Sequence, residues 1–188
     1  RERRKAYLAQ KLGKSKSDVT PADFERQRKS WKIPSLVSVS LDIGPRPAEI
    51  EAFTVDWYSP TKESLEIPEE DSVKSNSSWE VSLSSRSQRA LDRWLKQREV
   101  CPKYDGSDLM WLNREGNPYC SKTLNYLLEV LIDESRIHVG DRKITWYSIR
   151  RSTGTYLTYL HSLAYAKKQL RHKTIKSTLK YVEMPAEA

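Results

Sequence analysis

The sequence predicts a mostly α-helical fold with one small antiparallel β-sheet, an α+β arrangement. Apolar residues recur at helical spacing along most of the chain, whereas alternation of apolar and polar residues is confined to two short stretches near its middle. At 188 residues, of which 37% are hydrophobic, the chain is long enough for one main core and at most one small additional lobe.

The N-terminal part of the chain predicts two helical regions punctuated by glycine and proline. Residues 1–14 form a basic helical pattern that Gly13 closes. Thr20 as a cap and Pro21 at the first helical position mark the start of the second region. Pro34 interrupts the pattern of this second region, which continues beyond the proline.

The middle of the chain predicts a short helical segment followed by a β-hairpin. Residues 46–59 read as one or two helical turns that lead into a polar loop. Residues 64–68 and 79–84 alternate in polarity, and the residues between them are polar. This arrangement is typical of two antiparallel strands joined by a polar connection.

Three longer helices follow the hairpin. The first covers residues 85–100, the second follows a turn at Gly116 and Pro118, and the third covers residues 144–160. Their apolar residues repeat at helical spacing, which predicts one buried face on each helix. These residues are Ala90, Leu91, Trp94 and Leu95 in the first; Leu124, Leu127, Leu128 and Leu131 in the second; Ile149, Thr153, Tyr156, Leu157 and Leu160 in the third.

The C-terminal stretch QLRHKTIKSTLKY, residues 169–181, also reads as an amphipathic helix. On a continuous helix, one apolar stripe would form the buried face, and its members are Ile175, Thr178, Leu179 and Val182. Tyr181 lies off this stripe, so packing does not account for it. We therefore consider a functional role for Tyr181 at the surface.

The charges of the chain are segregated. Residues 1–32 carry eleven Lys or Arg against four Asp or Glu, and residues 136–184 carry eleven against two. The intervening residues 33–135 carry eleven basic and eighteen acidic residues, so the ends are basic and the middle is acidic. Such segregation favours a cationic face for DNA or RNA, with an anionic membrane surface as a weaker candidate and solvated helical faces as the alternative.

Several classes of protein lack support in the sequence. Cys101 and Cys120 are too few for a disulfide framework and lack metal-site spacing, so we expect reduced thiols. The three histidines, His138, His161 and His172, match no zinc-site pattern, and no glycine-rich phosphate loop or two-metal aspartate set is present. No apolar run is long enough to span a bilayer, so we expect a soluble, cytoplasmic protein without metal or small-molecule cofactor.

Four segments of the sequence place cations around a tyrosine: RPAE, DSVKSNSSWEVSLS, YSIR and RHKTIKSTLKY. Together they resemble the catalytic domain of the tyrosine recombinases, the phage integrase family. RPAE matches the family's first arginine box, and DSVKSNSSWEVSLS places a lysine in the hairpin. YSIR matches the second arginine box, and RHKTIKSTLKY matches the final histidine and tyrosine box. The residues carried over are Arg46, Lys74, Tyr147, Arg150, His172 and Tyr181. The amino-acid sequence around the last two boxes looks most like that of integrase-type proteins of archaea.

The resemblance implies the fold of the tyrosine recombinase catalytic domain, mostly α with a small antiparallel sheet, and it implies a reaction. It implies that Tyr181 attacks a DNA phosphate to form a 3′-phosphotyrosyl bond while Lys74 protonates the 5′-oxygen. Guanidiniums at Arg46 and Arg150 suit the charge on the phosphate oxygens, and His172 can add a hydrogen bond. The reaction would need no metal or cofactor, and its partner would be double-stranded DNA on which the protein self-associates as a dimer or tetramer.

Two residues depart from the family pattern. Tyr147 stands where a histidine is usual and cannot carry a positive charge near neutrality, which leaves the proton acceptor open between His172 and water. Arg171 replaces the glycine before His172, which we expect to be tolerated.

Residues 1–188 are then interpreted as one catalytic domain without the separate DNA-clamping domain of relatives. The alternatives are a type IB topoisomerase-like enzyme and a catalytically silent DNA-binding protein.

Overall fold

The computed structural model describes residues 6, 9–10, 13–20, 30–69, 78–113 and 115–182. The chain divides into two compact units, residues 1–30 and residues 31–188. In the first unit Ala9 and Val19 are buried together. Gly13 has a φ of 62°, as expected where a helix ends. The predicted helix start at Pro21 lies outside the described residues.

The described part of the second unit contains seven α-helices and three short strands. The helices are α1 Lys32–Ile43, α2 Pro47–Ala52, α3 Ser85–Glu99, α4 Ser121–Glu134, α5 Trp146–Leu160, α6 Leu163–Gln169 and α7 Lys176–Leu179. The strands are β1 Tyr58–Ser59, β2 Ser64–Ile67 and β3 Trp79–Ser82, and 3-10 turns occur at Val55–Trp57 and Pro102–Tyr104. The predicted fold class, mostly α with a small antiparallel sheet, is confirmed.

The sheet has the order β1-β2-β3 and is antiparallel throughout. Leu65 pairs with Val81, and both side chains are buried because alternate residues of the two strands face the core. The predicted hairpin is therefore present. Lys74 belongs to the connection between β2 and β3, and its position lies outside the described residues.

Helix α1 differs from its prediction at Pro34. The helix begins at Lys32, so Pro34 lies in its first turn instead of interrupting an existing helix. The first turn tolerates proline because its backbone N–H groups have no partner within the helix. Gly44 ends the helix with a φ of 52°, and its N–H donates to the Ser40 carbonyl. A side chain at Gly44 would lie 3.3 Å from the Arg150 Cα, so the turn after α1 packs tightly on α5.

The core lies between α1, α3 and the sheet and is rich in aromatic residues. Phe53 packs against Trp57 and Trp111 at centroid distances of 4.7 and 5.0 Å. On α3, the predicted inward residues Ala90, Leu91 and Trp94 are buried and Leu95 is half-buried. On α4 only Leu124 is fully buried, and Leu127, Leu128 and Leu131 are half-buried. On α5, Thr153 and Leu157 are buried, Ile149 is half-buried, and Tyr156 and Leu160 are exposed.

The C-terminal stretch does not form the continuous helix that its spacing predicts. Helix α6 ends at Gln169, Arg171 adopts a φ of 56°, and α7 is a single turn. Because the helix is interrupted, the 100° advance per residue does not carry through. The predicted stripe is wrong: Thr178 is buried, whereas Ile175, Leu179 and Val182 are each about half exposed. The surface position predicted for Tyr181 is also wrong, because its side chain is 4% exposed.

Among the described helices, none combines the length and the apolar character that crossing a membrane requires.

Candidate active site

Arg46 is held by the start of helix α2. It occupies the position before Pro47 in an extended conformation, with a φ of −71° and a ψ of 150°. Glu49, in the first turn, accepts the Arg46 backbone N–H at 2.6 Å and the Arg46 Nη1 at 2.7 Å. The carboxylate thus caps the helix and orients the guanidinium at the same time.

Arg150 projects from α5 into the protein and is 1% exposed. Its Nη1 donates to the Gly44 carbonyl and its Nη2 to the Leu170 carbonyl. Burial, followed by the charges of Arg171 and Arg46, lowers the pKa of Arg150 to about 10. The group therefore remains a cation at neutral pH.

Arg171 is a second buried guanidinium, at 2% exposure. Its Nη2 donates to Glu49 Oε2 at 2.7 Å, and its Nη1 donates to the carbonyls of Gln169 at 3.0 Å and Ile43 at 3.2 Å. The φ of 56° explains why a glycine suits this position, since arginine rarely adopts left-handed backbone.

Glu49 is the one carboxylate that contacts these arginines among the described residues. Burial alone would raise the pKa of Glu49, but the charges and hydrogen bonds of Arg171 and Arg46 outweigh burial and lower it. The carboxylate is therefore ionised at neutral pH. With Arg46, Arg150 and Arg171 charged, the cluster holds an excess of positive charge that suits a phosphate anion.

His172 is buried next to this cluster. Its Nδ1 lies 2.9 Å from the Thr178 Oγ1. Its ring stacks on Tyr181 with a centroid distance of 5.7 Å and an interplanar angle of 9°. Burial, followed by the charges of Arg150 and Arg46, lowers the pKa of His172 to about 4. The imidazole is therefore neutral at pH 7.

Tyr181 is fixed by close packing on α5. A Cβ at Gly154 would lie 2.9 Å from Tyr181 Cγ and 2.9 Å from Leu170 Cδ1, so only glycine leaves room for the ring. The Tyr181 hydroxyl is buried and meets no partner at hydrogen-bonding geometry among the described residues. Burial and the neighbouring Tyr147 raise the pKa of Tyr181, and Arg150 opposes them. The phenol is therefore protonated at neutral pH.

Tyr147 lies in the first turn of α5 and is 42% exposed. It is close enough to Tyr181 to affect the pKa of that hydroxyl. The structure thus brings together five of the six residues singled out in the sequence: Arg46, Tyr147, Arg150, His172 and Tyr181. Lys74 lies outside the described residues. Within the described residues, no group of three or more His, Cys, Asp or Glu side chains is arranged to hold a metal ion.

Solved structures share this architecture. A XerA recombinase superimposes with a TM-score of 0.71 at 16% identity, over 82% of this chain and 54% of its own. The Tn1549 transposon integrase in complex with transposon right end DNA gives 0.67 at 16% identity, over 89% of this chain and 62% of its own. The fold is that of the tyrosine recombinase catalytic domain.

A third solved structure agrees with this fold. XerH site-specific recombinase bound to difH substrate superimposes with a TM-score of 0.65 at 20% identity, over 85% of this chain and 46% of its own. This chain thus spans about half to three fifths of the length of these neighbours. No protein-family model matches the sequence, and no curated protein matches it by sequence.

The sequence did not indicate how Arg171 and Glu49 contribute to the recombinase-fold site. By sequence alone, Arg171 is only a tolerated replacement for the glycine before His172, and Glu49 is only the last residue of the RPAE segment. Their ion pair joins residues 122 positions apart, so no local periodicity could have revealed it. The spacing of Glu49 three residues after Arg46 was the available signal, because it matches the reach of a capping carboxylate.

Proposed function

We propose that the chain is the catalytic domain of a site-specific DNA recombinase that cleaves and rejoins DNA through a covalent 3′-phosphotyrosyl intermediate. The observation that carries the proposal is the stacking of Tyr181 on His172 beside the buried cation Arg150. A nucleophile precursor, a hydrogen-bonding imidazole and a guanidinium thus share one small volume. The transposon right end DNA in the Tn1549 integrase complex supports DNA as the partner, and we propose that it is double-stranded.

Arg46 and Arg150 bind the scissile phosphate in this proposal. Each guanidinium offers several N–H donors, and the bonds already made by Arg150 to two carbonyls fix the direction of those that remain. Fixed donors stabilise the charge that builds on the nonbridging oxygens as the phosphorus is attacked. The excess positive charge of the cluster supplies the stabilisation that a metal ion supplies in other phosphoryl-transfer enzymes.

The covalent step exchanges one phosphoester bond for another. The Tyr181 oxygen forms a bond to phosphorus, the bond from phosphorus to the 5′-oxygen breaks, and the phenol proton passes to His172 or to water. Lys74 protonates the departing 5′-oxygen. The reverse attack by a 5′-hydroxyl rejoins the strand, so the cycle consumes no nucleotide and uses no cofactor.

The basic ends of the chain bind the rest of the duplex. Residues 136–182, which contain α5 to α7, hold eleven Lys or Arg and a single Asp, Asp141. Contacts of the exposed cations among them with backbone phosphates position the duplex without reading its sequence. Strand exchange needs two duplexes, so active recombination requires self-association of the protein on DNA as a dimer or tetramer.

A second candidate is a catalytically silent DNA-binding protein of the same fold. The observations that favour it are the buried Tyr181 hydroxyl with its raised pKa and the presence of Tyr147 where relatives have histidine. A topoisomerase-like enzyme would use the same site to relax supercoils without exchanging partners.

The decisive experiment is covalent trapping on a nicked suicide duplex, followed by denaturing electrophoresis. We expect an adduct that resists denaturant with the unaltered chain and none with Tyr181→Phe, which keeps the ring packing and removes the nucleophile. Tyr159→Phe changes a tyrosine that is 73% exposed on α5 and serves as the matched control. Absence of an adduct from the unaltered chain despite DNA binding would favour the silent protein. Exchange of strands between two labelled duplexes separates a recombinase from a topoisomerase.

A further inference from the structure

Arg171 makes more buried polar contacts than a residue that merely replaces a glycine would need. We propose that Arg171 is a positioning residue that holds Glu49 and, through Glu49, the phosphate-binding guanidinium of Arg46. The inference rests on the proposed function for its effect on catalysis. Its effect on the local structure is independent of that function.

Arg171 and Arg150 together join two separate turns of the chain. Arg171 donates to the carbonyls of Ile43 and Gln169, and Arg150 donates to those of the next residue in each turn, Gly44 and Leu170. Two adjacent guanidiniums thus connect the turn after α1 to the turn after α6. The first of these turns leads directly to Arg46, and the second leads to His172.

Glu49 links this paired connection to Arg46. Its Oε2 accepts Arg171 Nη2 at 2.7 Å and the Arg46 backbone N–H at 2.6 Å, and its Oε1 accepts Arg46 Nη1 at 2.7 Å. The side chains of Glu49 and Arg171 are each 1% exposed, whereas that of Arg46 is 19% exposed. The buried Arg171 therefore anchors the carboxylate, and the carboxylate fixes the partly accessible arginine that would meet the phosphate.

The backbone of Arg171 makes a discriminating test available. Its φ of 56° favours glycine, so Arg171→Gly suits the turn better than the present residue while it deletes the guanidinium. Arg171→Asn, which also tolerates this conformation, provides a second variant if glycine makes the turn too mobile. Arg171→Lys keeps the charge but places all its donors on one nitrogen, so it cannot reproduce the fork in which Nη1 meets two carbonyls and Nη2 meets Glu49. Lys173→Gly removes one cation from an exposed position two residues away and is the matched control for the hydrogen-exchange measurement alone.

The first measurement is amide hydrogen exchange at Arg46, whose N–H donates to Glu49. In Arg171→Gly and Arg171→Asn we expect exchange at Arg46 to be at least about tenfold faster, with amides of α3 unchanged. We expect no change in Lys173→Gly. Unchanged exchange at Arg46 in both Arg171 variants would overturn the inference, whether or not the protein cleaves DNA.

The second measurement separates DNA affinity from the single-turnover rate of adduct formation at saturating DNA. We expect Arg171→Gly to bind within about threefold of the unaltered chain, because the lost charge is buried, and to react on the order of 10²-fold more slowly. Arg171→Lys should recover part of the rate. The proposal would be contradicted if Arg171→Gly lowered the thermal midpoint, the DNA affinity and the rate together and Arg171→Lys recovered none of the rate. Arg171 would then have only a structural role. Failure of the unaltered chain to form any adduct refutes the proposed function instead, and the exchange at Arg46 still decides the positioning.

Discussion

Substitution of Gly154 by alanine tests whether the packing of Tyr181 on α5 matters for the reaction. The added Cβ would lie 2.9 Å from Tyr181 Cγ, 3.0 Å from Tyr181 Cδ2 and 2.9 Å from Leu170 Cδ1, whereas ordinary contacts begin at 3.4 Å. Leu170 is fully buried, and Cγ is the atom that joins the tyrosine ring to its Cβ. The ring therefore has to move as a unit, and it moves away from α5.

Two opposing terms set the stability of Gly154→Ala. Alanine in the interior of a helix is favoured over glycine by about 1 kcal/mol. Overpacking of a well-packed site costs about 1–3 kcal/mol. We therefore expect the variant to range from neutral to about 2 kcal/mol less stable, measured by denaturant unfolding.

The effect on catalysis should exceed the effect on stability. Displacement of the Tyr181 ring changes its stacking on His172 and the position of the oxygen that we propose as the nucleophile, and such misplacement costs up to about 10²-fold in rate. The assay is single-turnover adduct formation on suicide DNA at saturating concentration. Ser152→Ala, at an exposed position of the same helix, is the control for helix propensity. Adduct formation at the unaltered rate together with unchanged or increased stability would refute the packing argument.

Three further predictions follow from the site. Tyr147→Phe should slow cleavage only several-fold, because one neutral hydrogen bond contributes about 1 kcal/mol, and Tyr147→His should be tolerated or faster; a loss as complete as that of Tyr181→Phe would make Tyr147 a principal catalytic group. Adduct formation should persist in excess chelator because the arginines supply the positive charge, and strict dependence on a divalent ion would count against the mechanism. The pKa of His172 is lowered from 6.5 to about 4, so the unfolded chain binds a proton that the folded protein does not, and stability should fall as the pH drops from about 6.5 to about 4. The free energy of unfolding, measured with urea across this pH range, should depend less on pH in His172→Gln than in the control His138→Gln, which changes an exposed histidine.

Local patterns predicted the parts of the fold that local contacts decide. The hairpin of β2 and β3 and the buried face of α3 followed from polarity alternation and helical spacing, because each buries one face against the core. Arg46 and Glu49 lie three residues apart, so their contact is also a local one. Periodicity is sufficient for such features because the residues involved are neighbours along a single element.

The C-terminal stretch shows where such reasoning stops. The predicted apolar stripe requires one continuous helix through residues 169–181. Arg171 adopts a left-handed backbone conformation instead and separates α6 from α7. A glycine there would have indicated the break, whereas an arginine gave no local sign of it. The arginine is retained in this conformation by contacts to Ile43 and Glu49, which are more than 120 residues away in sequence. Tertiary contacts therefore override the local preference.

The hydrogen bond of Thr178 bears on which group receives the phenol proton. Thr178 is fully buried, and within the described residues its hydroxyl contacts only His172 Nδ1, at 2.9 Å. A buried hydroxyl proton needs an acceptor, which assigns the acceptor role to Nδ1 and places the ring proton on Nε2. With its pKa near 4, His172 does not carry a second proton at neutral pH. On the proposed function, His172 then presents a donor to the scissile phosphate and has no lone pair for the Tyr181 proton. Tyr147, a phenol itself, is no better an acceptor near neutrality, so the proton passes to water.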